Sequence, residues 1–277
     1  MATSGINGVQ LFWERSGEQG EPVILVHGSW GDHHNWDGVV PELARTLRVA
    51  TYDRRGHSQS ERAPMPGSID EDVEDLAGLI EHVFQGPAHV VGNSFGAAIA
   101  LRLAVAHPEL IRSLAAHEPP LFGLLEDDPT VQPALASVRE RIAAVVSILR
   151  SGDMRSGARQ FVETIAFGAG AWDQLPQATR DTFVRNAPTW LDELDEPDAL
   201  DMELHLLAGF SAPALLTLGG ASPPFFPIVV KRVASAVPYA AQYVFPEAGH
   251  VPHLTHPAEW VQVIRQFITT ATAASAA

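Results

Sequence analysis

Three short stretches hold the residue types that acyl-transfer chemistry needs. "GNSFG", Gly92 to Gly96, has the form G-x-S-x-G; it ends one apolar run, Ala88–Ser94, and opens another, Phe95–Pro108. A serine on such a strand-to-helix turn presents its hydroxyl for attack on a carbonyl carbon, while small flanking residues let the neighbouring chain come close. The helix N-terminus beneath it offers N–H groups and the positive end of a dipole to a developing oxyanion. "FPEAGHVPHLTHP" places His250 in a glycine-marked loop ahead of a closing helix, where it can act on Ser94 as general base. His253 and His256 stand too near that helix for the role. A three-histidine metal site at this spacing has no carboxylate pattern behind it, so no metal and no organic cofactor are expected. The third stretch is "SLAAHEPPLF", in which Glu118 leaves a small apolar run and precedes Pro119 and Pro120. The exit of a buried strand is an odd place for an ordinary surface charge.

Two further loops follow apolar runs. "VHGSW" brings His27 and Gly28 to a strand exit, where the backbone N–H of Ser29 or of Trp30, with that of Phe95, would form an oxyanion hole. The His27 side chain is expected to anchor the loop. In "YDRRGHSQS", Asp53 and Arg54 are expected to hold loops in place. His33 and His34, in "WGDHHNW", are expected to be solvated.

These loops need a scaffold that ends them on one edge. The runs "PVILVHG", "LRVATYD", "AHVVGNS" and "IRSLAAHE" are near-continuously apolar, as strands buried on both faces are. Between them, "SIDEDVEDLAGLIEHVF" has a serine start signal, early acids and apolar residues at Val73, Leu76, Leu79, Ile80 and Val83, the spacing of an amphipathic helix. "FGAAIALRLAVAHP" is apolar all round, hence a buried helix stopped by Pro108. From about Leu121 to Phe210 no strand pattern is visible. The rhythm resumes at "APALLTLGG", "AQYVFPE" and the helix "PAEWVQVIRQFITT". The expected architecture is α/β: a mostly parallel central sheet with helices on both faces, formed by residues 1–120 and 210–277, with an all-helical cap, 121–209, inserted in it.

The chain has 277 residues, 46% of them hydrophobic and 18% charged, enough for a well-buried core. A net charge of −15 argues against nucleic acid or an anionic membrane as partner. There is no cysteine, which removes disulfides, thiolate metal sites and a cysteine nucleophile. The N-terminus lacks the basic-then-apolar pattern of a signal peptide, and no segment approaches the roughly 20 apolar residues of a bilayer span. A cytoplasmic protein is expected.

"HGSW", "YDRRGHSQS", "GNSFGAAIAL" and "EAGHVPH" stand in an order and at spacings that resemble the α/β-hydrolase family over nearly the whole chain. The resemblance implies a catalytic triad of serine, acid and histidine. Most members carry the acid as an aspartate after the strand that here reads "PALLTLGG"; this chain continues "ASPPFF", with no Asp or Glu from Ser211 until Glu247. A minority place it at the exit of the strand after the nucleophile helix, which is Glu118. Pro119 and Pro120 would stiffen that exit. The expected triad is Ser94, Glu118 and His250, with Asp32 as the fallback acid. The implied activity is cleavage of a carboxylic ester or lactone of a neutral apolar or aromatic small molecule through an acyl-enzyme. Trp30, Leu121, Phe122, Trp172, Trp190 and Val251 are the pocket candidates, and Phe161, Phe167 and Phe183 could also line it. The alternatives are a C–C bond hydrolase of a diketone or dienone, a cofactor-free haloperoxidase or perhydrolase, and, outside enzymes, a ligand-binding receptor of the same fold. A homodimer is left open.

Overall fold

Eight strands form one sheet in a computed structural model that describes residues 1–275. They are β1 (Ala2–Ile6), β2 (Val9–Ser16), β3 (Pro22–Val26), β4 (Arg48–Tyr52), β5 (Ala88–Asn93), β6 (Ile111–His117), β7 (Ala214–Gly219) and β8 (Ala241–Phe245). Their order across the sheet is β1-β2-β4-β3-β5-β6-β7-β8. The pairs β1–β2 and β2–β4 are antiparallel, and every pair from β4 onward is parallel. β3 and β5 are buried along their whole length, which is why β3 reads as an unbroken apolar run and β5 as a nearly continuous one. Sequence reading assigns nothing to the first two strands. Their signal is Asn7-Gly8, both at positive φ, between two short alternating runs, which is the signature of a tight hairpin.

The helices are α1 (Val40–Leu43), α2 (Ile69–Phe84), α3 (Phe95–Ala106), α4 (Gln132–Arg150), α5 (Met154–Phe161), α6 (Ala171–Gln174), α7 (Gln177–Asp195), α8 (Phe226–Ala236), α9 (Pro252–Thr255) and α10 (Pro257–Ser275). α2 begins where its sequence says. Ser68 Oγ accepts from the Glu71 N–H, and the Glu71 carboxylate accepts in return from the Ser68 N–H. α2, α3 and α8 cover one face of the sheet around Leu76, Ile99 and Val229, while α10 covers the other with Trp260, Ile264 and Ile268. Among the described residues, no helix is long and apolar enough to cross a membrane.

The segment between β6 and β7 is helical, as expected, but it divides its packing. Leu121, Leu125, Val131 and Leu135 at its start, and Ala199, Met202, Leu207 and Phe210 at its end, join the core beneath the sheet. Its middle builds a separate core of Val145, Leu149, Ala158, Val162, Trp172, Ala187 and Trp190, into which Trp30 projects from the loop after β3.

Candidate active site

Ser29, Trp30, Ser94, Glu118 and His250 lie just past the C-terminal ends of β3, β5, β6 and β8. Ser94 sits between β5 and α3 with φ 55° and ψ −123°, a conformation that side chains rarely adopt and that surrounding structure must hold. Its N–H donates to His117 O (2.9 Å). The flanking glycines are needed for space. A Cβ on Gly96 would lie 2.2 Å from Val26 O, and one on Gly92 would lie 2.3 Å from Gly96 O. Gly28 is pressed against Ser94 itself: a Cβ there would be 2.9 Å from Ser94 Cβ and 3.5 Å from its Oγ. The loop carrying Ser29 and Trp30 is thereby held beside the serine.

His250 lies between β8 and α9. Asn93 Nδ2 donates to its carbonyl (2.9 Å), which ties the histidine loop to the residue before Ser94. Its Nδ1–H donates to Glu118 Oε2 (2.6 Å). A carboxylate can only accept, so this bond places the imidazole proton on Nδ1 and leaves Nε2 as a base. One face of the ring stacks on Phe226 at 4.8 Å.

Glu118 is fully buried, at φ 44°. Its other oxygen, Oε1, accepts from the Gly219 N–H (2.7 Å) at the end of β7. Burial pushes its pKa up; the hydrogen bond from His250 leads the effects that outweigh that and hold it below the usual carboxylate range. Glu118 therefore follows β6 but delivers its carboxylate to the β7 exit, in the loop that holds Ser222. The Ser222 hydroxyl is buried without a hydrogen bond of good geometry, yet is close enough to help keep Glu118 ionised. His117, beneath the pair, is kept neutral by burial with its pKa at about 4.

Asp32 does not bond His250. Its carboxylate accepts from the His34 N–H, Ser58 Oγ and Thr182 Oγ1. His27 does anchor its loop, donating from Nδ1 to Gly28 O (2.8 Å) and accepting the Arg54 N–H at Nε2 (3.0 Å). Asp53 holds the His33 and Gln59 N–H groups. His33 corrects an expectation. It is buried, not solvated, because the Asp53 carboxylate, itself fully enclosed, takes its Nδ1–H at 2.6 Å; only His34 is exposed.

The aromatic candidates separate into two groups. Trp30 is enclosed, stacked on Phe161 (4.5 Å) and close to Trp190 (5.0 Å) and Phe183 (5.9 Å); Trp172 is buried in the same cluster. Phe122 packs on Phe225 and Phe226, and so joins the set that reaches the His250 ring. Leu121 is buried in the main core, Val251 is half-buried next to His250, and Phe167 is exposed. Sequence reading missed Phe226, although a "PPFF" run at a strand exit facing the histidine loop is a legible signal. It also missed Glu193 of α7, for which no local signal exists. Three or more potential metal donors converge at His117, Glu118 and His250 and at Asp32, His33 and Asp53. In both groups, ring nitrogen and carboxylate already bond each other.

A parallel sheet that ends a strained serine elbow, a histidine and a buried carboxylate on one edge defines a hydrolase architecture. Residues 21–257 match the α/β hydrolase fold family, and the chain belongs to it. It is 32% identical, over 95% of its own length and 99% of the relative's, to the pimeloyl-[acyl-carrier protein] methyl ester esterase of Chromobacterium violaceum. It is 26% identical, over 92% of its length and 89% of the relative's, to the 2-hydroxymuconate semialdehyde hydrolase of a Pseudomonas species. Among solved structures, the enol-lactonase of Burkholderia xenovorans superposes with TM-score 0.79 at 22% identity, covering 97% of this chain and all of that one.

Proposed function

We propose that the chain is a serine hydrolase that cleaves a carboxylic ester or lactone of a neutral, apolar or aromatic small molecule. The observation that carries the reading is the 2.6 Å bond from His250 to the buried Glu118, alongside the strained Ser94. The esterase relative adds weight to ester over other acyl bonds.

Ser94 Oγ attacks the carbonyl carbon while His250 Nε2 takes its proton. Negative charge moves onto the carbonyl oxygen, which the N–H groups of Phe95 and of Ser29, or Trp30 in its place, stabilise. Glu118 holds the Nδ1–H tautomer and offsets the imidazolium charge. His250 then returns the proton to the leaving alcohol oxygen as the C–O bond breaks. Water repeats the sequence on the acyl-Ser94 ester and releases the acid. The helical insertion is read as a cap whose Phe161, Phe183 and Trp190, packed around Trp30 of the loop after β3, supply an apolar wall. A C–C bond hydrolase of a dienone is the second reading, favoured by the hydroxymuconate semialdehyde hydrolase relative.

The test is labelling with a fluorophosphonate, followed by peptide mass spectrometry and hydrolysis of p-nitrophenyl acetate. Stoichiometric modification of Ser94, lost in Ser94→Ala together with turnover, is expected. A wild type inert to both reagents would leave a ligand-binding protein and overturn the enzyme reading.

A further inference from the structure

Helix α7 meets the loop after β3 residue by residue. Thr182 Oγ1 donates to Asp32 Oδ2 (3.2 Å). Asn186 Nδ2 donates to Gly31 O (2.7 Å) and Trp30 O (3.3 Å). The Trp190 ring lies 5.0 Å from that of Trp30. Glu193 Oε2 accepts from Ser29 Oγ (2.5 Å). Successive members of this series are three or four positions apart, so they form one stripe along the helix. The stripe grips a loop whose Trp30 has φ 67°, a conformation a bulky residue keeps only under outside constraint.

Glu193 reaches further. Its Oε1 accepts from Arg54 Nη1 (2.9 Å), and the same guanidinium pairs with Asp72 (2.6 Å) and lies 4.6 Å above the Phe95 ring. Arg54, Asp72 and Glu193 are all buried. One carboxylate thus bonds the hydroxyl of Ser29 and the cation packed on Phe95. Ser29 and Phe95 are both candidate backbone N–H donors of the oxyanion hole in the function proposed above.

We propose that Glu193 is a positioning residue through which helix α7, an element outside the sheet, sets the geometry of the oxyanion hole. The inference rests on that function. Its physical consequence is specific. Oxyanion donors act on charge that exists only in the transition state, so disturbing them lowers kcat and leaves ground-state binding alone.

The experiment compares the full-length wild type with Ser29→Ala, Glu193→Gln, their double variant and Ser94→Ala. It reads kcat and KM on p-nitrophenyl acetate and inhibition by an aryl trifluoromethyl ketone. With that ketone, Ser94 Oγ adds to the carbonyl carbon, its proton passes to His250, and the carbonyl oxygen becomes an oxyanion in the hole. Loss of a whole oxyanion donor costs roughly 10²–10³ in kcat, so a displaced one should cost about tenfold. Ser29→Ala and Glu193→Gln should each lower kcat by that order, with KM within about twofold, and weaken the ketone by the same factor. The double variant should be no worse than the poorer single, because both act through one bond. Losses that multiply, a KM effect with kcat intact, or unchanged ketone inhibition would each overturn the proposal. Should Glu193→Gln fail to fold, Ser29→Ala carries the test alone, and an unchanged kcat and ketone affinity in it refutes the coupling. Activity that survives Ser94→Ala refutes the function itself. Activity abolished by Ser94→Ala but indifferent to the other variants refutes only the role of Glu193.

Discussion

Replacing Glu118 by glutamine tests the acid at the least steric cost. Both carboxylate oxygens are in use, Oε1 on the Gly219 N–H at 2.7 Å and Oε2 on the His250 Nδ1–H at 2.6 Å. An amide has one oxygen to offer. If it stays on Gly219, the NH2 group faces Nδ1, which must then become the acceptor. The imidazole proton moves to Nε2, where it blocks transfer from Ser94. In serine proteases the same wrong tautomer costs about 10⁴ in kcat, or about 5 kcal/mol on the barrier, and a loss of that order is expected here. The assay is p-nitrophenyl acetate turnover, with thermal unfolding and far-UV circular dichroism to show that the fold is intact. A well-folded Glu118→Gln within tenfold of the wild-type rate would refute the reasoning. The geometry also offers a rescue. Glu118 reaches across to the β7 exit, where Ser222 stands beside it with a buried, poorly bonded hydroxyl. Ser222→Asp on the Glu118→Gln background should recover at least tenfold of the lost rate.

Gly28→Ala puts a methyl 2.9 Å from Ser94 Cβ and 3.5 Å from its Oγ, so turnover and fluorophosphonate labelling of Ser94 should both fall by at least tenfold while the melting temperature moves by only a few degrees. His253 is enclosed between Trp36 and Trp260 with both ring nitrogens unpartnered, and burial, reinforced by His117 and His250, lowers its pKa to about 3. A histidine whose folded pKa is depressed contributes stability above its unfolded value near 6.5 and loses it as pH falls toward the folded one. His253→Phe should therefore remove about 2 kcal/mol of the destabilisation between pH 7 and pH 5, measured by urea unfolding at both; an unchanged difference refutes it.

What the sequence determined by itself is local. The serine elbow could be read because its strand, turn and helix are neighbours in the chain, and a Cβ on Gly92 would lie 2.3 Å from Gly96 O within that unit. The start of α2 was legible for the same reason, since Ser68 and Glu71 satisfy each other three residues apart. The parallel sheet followed from apolar runs that are buried on both faces. Tertiary structure decided what depends on distant partners. Glu118 and His250 are 132 residues apart, and their bond exists because β6 and the β8 loop end on one edge. His33 is buried because Asp53, 20 residues away, needs its proton. Glu193 meets Ser29 across 164 residues, by way of a helix whose face is chosen by packing. Periodicity and capping act over a few residues and leave a trace in the sequence, whereas the pairing of buried charges depends on which loops the fold brings together, and no short-range pattern records it.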